Sequence, residues 1–440
     1  MNNPDVLIAG GGPAGCTAAI LLARAGWRVA LFEKARHPRF HIGESLLPMN
    51  LPILERLGVL EAIRDIGVYK AGADFPADDG QWNSFPFHRA LNPSHEHAFQ
   101  VRRDEFDALL CEQARRAGVD VHEGTAVTRV DWRAPGEAEV SVCGESGEQR
   151  LRPRYVIDAS GRDTLLGRQL KLKRKNPRHQ SAAIFSHYRG VTRREGENAG
   201  NISILRFPQG WVWLIPLTDG LMSVGAVCSP DYLKSRRGDR ETFLDQTLQS
   251  IPAVAGRMQQ AERVAPVHVT GNYAYACTQM AGPGWILIGD AYTFIDPVFS
   301  SGVYLAMDSA EQAARVVDGA LRDPASEAGL QRAMQRRLRR GLAEFSWFIY
   351  RFTTPVMAAL FARPRNHWQI EQAVISLLAG DVFDNPAVLR RLRAFRAIYA
   401  LTAIRMSPRA LWNWWERRRA ARARFQEETL QIDPTEGSPR

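Results

Sequence analysis

The chain has 440 residues, a formal net charge of +10 and 45% hydrophobic residues. This length and composition exclude a disordered or fibrous protein and suffice for two joined domains with large cores. The first apolar strand starts at residue 5 and no window reaches the roughly 20 apolar residues of a membrane span, so we expect a cytoplasmic protein without a secretory leader.

The N-terminal segment combines a strand, a glycine-rich turn and a helix. Residues 5–9 are typical of a buried parallel strand, a helix is predicted over 16–25, and a second strand over 29–32 ends at Glu33. The turn between the first strand and the helix consists of Gly10, Gly11, Gly12, Pro13, Ala14 and Gly15. This order predicts a dinucleotide-binding unit.

Each part of this unit has a physical role. Gly10 permits the tight turn, Gly12 lets the backbone approach a pyrophosphate, and Gly15 lets the helix pack on the strand. Glu33, with Lys34 beside it, is expected to bind the adenosine end of the cofactor, the acid accepting hydrogen bonds from the ribose hydroxyls.

Two later turns favour a flavin over a nicotinamide cofactor. The apolar strand at 155–158 ends in Asp158 and leads to Gly161, and the strand at 285–288 leads to Gly289 and Asp290. An acid at a strand end can reach a ribose or ribityl hydroxyl while the glycine backbone lies against the cofactor.

The ordered trio of turns resembles the flavoprotein hydroxylase superfamily. The resemblance implies an α/β fold, with a Rossmann-type FAD-binding domain interrupted by a mixed β-sheet substrate domain and followed by a helical C-terminal region. The predicted ranges are 1–165 for the first part of the FAD-binding domain with inserted segments, 166–284 for the substrate-domain sheet, 285–330 for the last part of the FAD-binding domain, and 331–440 for the basic helical region.

The same resemblance assigns two charged residues to the cofactor. Asp290 inherits the contact of the family acid with the flavin ribityl chain. Arg103 matches the FAD-contacting arginine of the family, although an exposed charge at a helix start is an equal alternative because Arg102 is adjacent.

Residues 210–216, GWVWLIP, match the GWxWxIP motif of flavin-dependent halogenases in every defined position. Alternation along a strand places Trp211 and Trp213 on one face, and Ile215 and Pro216 complete the motif. An aromatic strand of a buried sheet would have the same pattern, and both interpretations can hold together. The resemblance implies that the tryptophans lie near the flavin and keep the organic substrate away from it.

Lys70 resembles the catalytic lysine of these halogenases in its local pattern and in its spacing from residues 42–48. Without that context a solvated surface charge would be the better interpretation. A desolvated Lys70 would polarise hypohalous acid as an ammonium, or be halogenated as a neutral amine.

Residues 294–303 resemble the flavin-edge loop of the family. Pro297, Gly302 and Val303 are expected at the cofactor, and the backbone amides of Ser301 and Gly302 would hold a halide at a helix N-terminus. A serine helix cap is an alternative that can coexist with this site. Some phenol-type members link FAD covalently through an acid in this neighbourhood, which makes Asp296 a candidate for such a link.

Phe299 narrows the range of expected substrates, because tryptophan halogenases carry a glutamate at this position. The resemblance therefore points to a phenol, or to a pyrrolyl or aryl group tethered to a carrier protein. It implies halogenation with chloride or bromide by FAD, the reduced form being supplied by a separate flavin reductase. The base that removes the ring proton is open among His41, His88, His95, His97 and Glu44.

Two alternatives to halogenation share the FAD motifs. These are a flavin monooxygenase or geranylgeranyl-reductase-like FAD oxidoreductase, and a flavin-binding protein without enzymatic activity. Neither oxidoreductase would explain GWVWLIP together with Lys70.

The positive charge is concentrated in the C-terminal half and has several interpretations. Solvated helix faces would suffice, and an acidic carrier protein is the next interpretation because long-range attraction speeds encounter. Trp412, Trp414 and Trp415 beside arginines would suit peripheral contact with a membrane. No nucleic-acid-binding module accompanies the charge, so we expect no nucleic acid partner.

The cysteines are scattered along the chain. Their positions, without CxxC or Cys/His spacing, are Cys16, Cys111, Cys143, Cys228 and Cys277. We therefore expect reduced thiols, no disulfide and no metal site.

Overall fold

The computed structural model describes residues 3–77, 80–176, 180–235, 238–271 and 274–406. The end of the predicted basic helical region, with the tryptophans at 412, 414 and 415, lies outside these ranges. The strands are β1 Val6–Ala9, β2 Val29–Glu33, β3 Gly67–Lys70, β4 Gly72–Pro76, β5 Trp82–Pro86, β6 Ala98–Val101, β7 Asp120–Glu123, β8 Ala126–Ala134, β9 Glu137–Gly144, β10 Gly147–Leu151, β11 Tyr155–Asp158, β12 Lys173–Lys175, β13 Ala182–Arg189, β14 Ile202–Phe207, β15 Gly210–Pro216, β16 Met222–Cys228, β17 Glu262–Arg263, β18 His268–Thr270, β19 Tyr275–Cys277, β20 Ala281–Gly282, β21 Trp285–Leu287 and β22 Thr293–Phe294. The helices are α1 Pro13–Arg24, α2 Leu51–Leu57, α3 Leu60–Ile66, α4 Arg103–Arg116, α5 Leu165–Gln169, α6 Pro230–Lys234, α7 Arg240–Gln249, α8 Pro252–Arg257, α9 Gly302–Arg322, α10 Glu327–Ile349, α11 Pro355–Ala362, α12 Ile370–Ala379 and α13 Pro386–Arg405.

The first sheet brings the three glycine turns to one edge. Its strand order is β20-β21-β11-β1-β2-β7, and β1 pairs in parallel with both β2 and β11. Ala9 is opposite Asp158, and Asp158 is opposite Leu287, so the ends of β1, β11 and β21 lie side by side. Ligands bind at the carboxyl ends of such parallel strands. The predicted Rossmann-type domain is confirmed.

The second sheet is mixed and follows the order β17-β13-β16-β15-β14-β4-β5, with β18 also paired to β13. Most neighbours are antiparallel, whereas β14 and β4 run parallel. Two of its strands, β4 and β5, come from the inserted segments of the first predicted range rather than from 166–284. These two strands directly follow Lys70, so the substrate sheet begins next to that residue.

The two faces of β15 have different surroundings. Val212 and Leu214 belong to a core with Phe243 and Leu244 of α7. Trp211 and Trp213 belong instead to the core that is continuous with the FAD-binding domain. The alternation predicted for GWVWLIP therefore directs its tryptophans toward the cofactor side of the sheet.

From residue 302 to residue 405 the described chain is mainly helical, which agrees with the prediction of a helical C-terminal region. Helix α9 packs on α1, and α10 packs on α9. Within the described ranges, none of the helices has the combination of length and hydropathy needed to cross a membrane.

Candidate active site

A cavity of about 860 Å³ lies where the three turns meet β15. Its volume is in the range of pockets that hold cofactor-sized ligands. The predicted cofactor residues that line it are Gly10, Gly12, Pro13, Ala14, Glu33, Lys34, Arg103, Gly161, Asp290, Pro297, Gly302 and Val303. Trp211, Trp213 and Ile215 line the same cavity, whereas Pro216 does not.

The glycine turn has the shape that a dinucleotide phosphate requires. Gly10 has φ of +112°, and a Cβ there would lie 2.3 Å from the Ala159 carbonyl oxygen. A Cβ on Gly15 would lie 1.9 Å from the carbonyl oxygen of Gly10, so Gly15 serves helix packing away from the cavity. At Gly12 the nearest atom to a Cβ is Arg39 Nη2 at 3.6 Å, so this backbone faces open cavity. These residues fit FAD.

Glu33 has contacts that the sequence did not indicate. Its Oε2 accepts a hydrogen bond from the amide of Gly11 at 2.8 Å, and its Oε1 accepts one from the amide of Ala35 at 2.9 Å. The carboxylate thus fixes the glycine turn while it also lines the cavity. Lys34, also at the cavity, forms an exposed ion pair with Asp163.

The two acid turns, similar in sequence, differ in structure. Asp158 does not line the cavity, because its carboxylate accepts hydrogen bonds from the amides of Ser160 and Leu166 at 2.9 and 2.8 Å. Asp290 does line the cavity, and burial raises its pKa to about 6. Gly289 lies behind it, with its amide donating to Ser309 Oγ at 2.9 Å. Asp290 is therefore the acid available to a cofactor hydroxyl.

Arg103 is buried rather than exposed, which excludes the alternative of a surface charge. Its guanidinium binds Asp107 through two hydrogen bonds of 2.8 and 3.0 Å, and Nη1 donates to the Ile42 carbonyl oxygen at 2.7 Å. Burial and the charge of Arg103 lower the pKa of neighbouring His41 to about 4. A positive but internally paired side chain therefore borders the cavity.

Lys70 is 1% exposed at the end of β3. Its Nζ donates to Ser45 Oγ at 2.9 Å and to the Leu46 carbonyl oxygen at 2.8 Å, and lies 5.3 Å from the ring centre of Phe87. Burial lowers the pKa of Lys70 to about 7. Lys70 does not line the cavity, but Ser45 does, so Ser45 lies between the cavity and the amine.

The flavin-edge loop enters α9 through a strained turn. Ser300 has φ of +56°, and the buried Ser301 is the N-cap residue of α9 without a side-chain cap bond. Asp296 accepts a hydrogen bond from the Val298 amide at 3.1 Å. Gly302 reaches the cavity, whereas Ser301 does not line it.

Phe299 is buried in an aromatic cluster and does not line the cavity. Its ring meets that of Phe352 edge-on at 5.5 Å. The cluster continues from Phe352 through Phe75, Phe85 and Phe361. Side chains of the substrate sheet and of the C-terminal region therefore enclose the predicted substrate region.

Glu44 pairs with a histidine that the sequence did not indicate. His187 Nε2 lies 2.6 Å from Glu44 Oε1, and Glu44 is 1% exposed. Burial opposes the charged form of His187, but the hydrogen bond and charge of Glu44 outweigh it and raise its pKa. The two residues are 143 positions apart, so only the fold brings them together at the cavity wall.

The remaining candidate bases lie elsewhere. His95 Nε2 is 3.1 Å from Glu55 Oε1, and His97 stacks on Tyr69 with ring centres 4.8 Å apart. His88 lines a second cavity of about 590 Å³, next to Val68 and Tyr69 of β3. None of these three side chains lines the first cavity.

Three side chains able to ligate a metal meet away from the cavity. One ligand atom each of His37, Cys111 and Glu123 lies within 4.8 Å of the others. Contact with the Cys16 thiol and with His37 lowers the pKa of Cys111 to about 5. Sequence spacing could not indicate this group because its members come from separate elements, and the expectation of no metal site stays a prediction.

Comparison with known proteins assigns the chain to a family. The profile of the family described as FAD binding domain matches residues 3–345. A 1H-pyrrole-2-carbonyl-[peptidyl-carrier protein] chlorinase of Pseudomonas fluorescens is 31% identical over 436 residues, covering 93% of this chain and 95% of that one. The chain therefore belongs to the FAD binding domain family and, within it, to the flavin-dependent halogenases.

Two further similarities support this assignment. A tryptophan 2-halogenase of Chondromyces crocatus is 37% identical over 327 residues, which cover 72% of this chain but only 61% of that protein. The solved structure of the myxobacterial chondrochloren halogenase CndH has a TM-score of 0.76 and 29% identity, with 91% of this chain and 98% of that chain covered. The fold similarity extends over nearly the whole of both chains.

Proposed function

We propose that this protein uses reduced FAD, oxygen and chloride or bromide to halogenate an electron-rich aromatic ring in secondary metabolism. The ring is phenolic or is carried on an acidic carrier protein. The observation that carries the proposal is a buried lysine whose Nζ donates a hydrogen bond to Ser45, a residue that lines a FAD-sized cavity. A flavin monooxygenase or reductase has no evident use for such a lysine.

The proposed reaction uses two places in the protein: the cofactor cavity, where hypohalous acid forms, and the surroundings of Lys70, where the ring is halogenated. Reduced FAD would be held in the cavity by the three turns and would supply the oxygen activation that turns halide into hypohalous acid. The halide is assigned to the positive end of α9, where the amide of Gly302 reaches the cavity and that of Ser301 lies directly behind it in the chain. Trp211 and Trp213, with rings 5.7 Å apart, close the cavity against the organic substrate. Trp213 is fixed there by its Nε1, which donates to Ser223 Oγ at 3.1 Å.

Ser45 lies between the cofactor cavity and the amine of Lys70. Hypohalous acid passes Ser45 and reaches Lys70, whose ammonium donates a hydrogen bond to it and makes the halogen electrophilic. The aromatic ring then attacks the halogen while the halogen–oxygen bond breaks, and the oxygen leaves as water with the proton that Lys70 donates. A base removes the ring proton to restore aromaticity. The wall formed by Ser45 and the Leu46 carbonyl orients the amine, so we assign Ser45 as a positioning residue.

Phe299 supports the phenolic or tethered substrate. The tryptophan enzymes of the family place a carboxylate where this chain has an apolar ring, so activation must come from the substrate's own hydroxyl or ring nitrogen. The carrier-protein chlorinase matches nearly the entire chain, which supports a tethered ring.

A single assay tests the function. The protein is incubated with a flavin reductase, NADH, FAD and either halide, and free and carrier-loaded phenols and pyrroles are analysed by mass spectrometry. Halogenated product supports the proposal. Hydroxylated product would indicate a monooxygenase, saturated product a reductase, and absence of any product a binding role.

We expect the purified protein to bind FAD but to depend on a separate flavin reductase for reducing equivalents. One dinucleotide fingerprint is present, and it is used by the flavin. Stopped-flow absorbance should show no rapid bleaching of the bound flavin by NADH or NADPH until the reductase is added. Rapid direct reduction would contradict this two-component scheme.

We also expect halogen transfer to titrate near pH 7, because burial lowers the pKa of Lys70 to about 7. Both partners of Nζ accept hydrogen bonds, which suits a donating ammonium. Transfer should therefore be maximal below pH 7 and fall about tenfold per pH unit well above it. Rapid-quench assays with added hypohalous acid would isolate this step. A rate that rises through pH 7 would instead indicate attack by the neutral amine.

A further inference from the structure

An exposed basic loop lies on the surface of the C-terminal region. Residues 363–369, here called the basic loop, connect α11 to α12, and Trp368 in this loop is 81% exposed. Single exposed small apolar residues need no explanation, but tryptophan and arginine are the residues most enriched at binding hot spots.

The segment from the basic loop to the end of α13 has an excess of positive charge. Residues 363–405 contain seven arginines and three acids. Two of the acids are already paired, Glu371 with Arg89 at 3.0 Å and Asp384 with Arg337 at 2.7 Å. Arg365, Arg390 and Arg393 are exposed, and no acid of the described ranges pairs with them. This surface therefore attracts acidic partners.

The basic loop is held in place rather than free. Arg391 Nε donates to the Trp368 carbonyl oxygen at 3.2 Å, and its Nη2 binds the Gln369 side chain. Trp368 has φ of +53°, a conformation that costs free energy for a bulky residue. Contacts with α13 thus fix the backbone of the basic loop at Trp368, and a loop that is already ordered loses less entropy on binding.

The basic loop is also joined to the aromatic cluster around Phe299. Phe361, at the end of α11, packs on Phe75 with ring centres 5.1 Å apart. Asn83 Nδ2 donates to the carbonyl oxygens of Phe361 and Ala362 at 3.0 and 2.7 Å. The start of the basic loop is therefore adjacent to the aromatic cluster that contains Phe299.

We propose that Trp368 and the arginines around it form the docking surface for an acidic carrier protein that presents the aromatic ring. This proposal rests on the tethered-substrate part of the proposed function. Trp368 supplies the apolar anchor, and Arg365 and Arg390 face carboxylates of the partner.

The test compares a carrier-loaded aryl thioester with the same aryl group on a short synthetic thioester. Trp368→Ala and the double variant Arg365→Glu/Arg390→Glu should each raise KM for the loaded carrier at least about tenfold. The kcat for the carrier and both parameters for the synthetic thioester should stay within about twofold. Arg189→Glu is the matched control, because it makes the same change at an exposed arginine of the substrate sheet and should leave KM unchanged.

The other outcomes are distinguishable. An unchanged KM for the carrier in both basic-loop variants overturns the docking surface, as does weakened binding to anionic vesicles with carrier kinetics intact. Equal losses of activity on the loaded carrier and on the synthetic thioester would mean that the variants disturb the fold, and would also overturn the proposed docking surface. Wild-type activity on the synthetic thioester but none on loaded carriers would refute tethering and leave halogenation intact, whereas no halogenation of either substrate would refute the proposed function itself.

Discussion

Replacing Lys70 with alanine is expected to lower halogenation of the aromatic substrate by at least about 100-fold, the range typical of a lost general acid. FAD binding, flavin reoxidation and hypohalous acid release should persist, because Lys70 does not line the cofactor cavity. Product analysis by mass spectrometry, together with a hypohalous acid trap, separates the two steps.

Two control variants sharpen this experiment. Lys70→Met keeps the approximate volume of the buried side chain and removes the amine. It should therefore lose as much halogenation activity as Lys70→Ala. It should fold at least as stably, because burial already disfavours the charge at this position. Lys175→Ala removes an exposed lysine of β12 and should keep full activity. Regioselective halogenation by Lys70→Met at the wild-type rate would refute the catalytic role.

The features of the site that depend on neighbouring residues in the chain could be predicted from the sequence. Gly10 and Gly15 are glycines because any Cβ would collide with backbone, and this requirement is visible as a motif. The alternation in GWVWLIP likewise predicts that Trp211 and Trp213 line one cavity. Such signals are short-range, so they can be interpreted without the fold.

Features that depend on tertiary contacts could not be predicted. Asp158 and Asp290 follow similar strands. The carboxylate of Asp158 accepts hydrogen bonds from the amides of Ser160 and Leu166, whereas the carboxylate of Asp290 lines the cavity and can bind a cofactor hydroxyl. The Glu44–His187 pair joins two domains. No local sequence pattern predicts the partners of these acids, because each partner is set by a residue that is distant in sequence or by the geometry of a turn.

Gly12→Ala is expected to weaken FAD binding by about 100-fold while leaving the apoprotein stable. The backbone of Gly12 has φ of −82°, which alanine adopts freely, and a Cβ there meets nothing closer than 3.6 Å. The methyl group instead enters the space where we place the pyrophosphate, and losing the close approach of the backbone removes its amide contacts. Flavin fluorescence titration would give the dissociation constant, and thermal unfolding of the apoprotein would give the stability.

Gly15→Ala is the contrasting variant, and the pair of results tests the geometry of the turn. Its Cβ would lie 1.9 Å from the carbonyl oxygen of Gly10, which is backbone and cannot swing aside. We therefore expect a loss of about 1–3 kcal/mol in the free energy of unfolding of the apoprotein, as for an overpacked core. Gly12→Ala should show no such loss. Because one substitution acts on the cavity and the other on helix packing, unimpaired FAD binding by a stable Gly12→Ala protein would mean that the cofactor phosphates lie elsewhere.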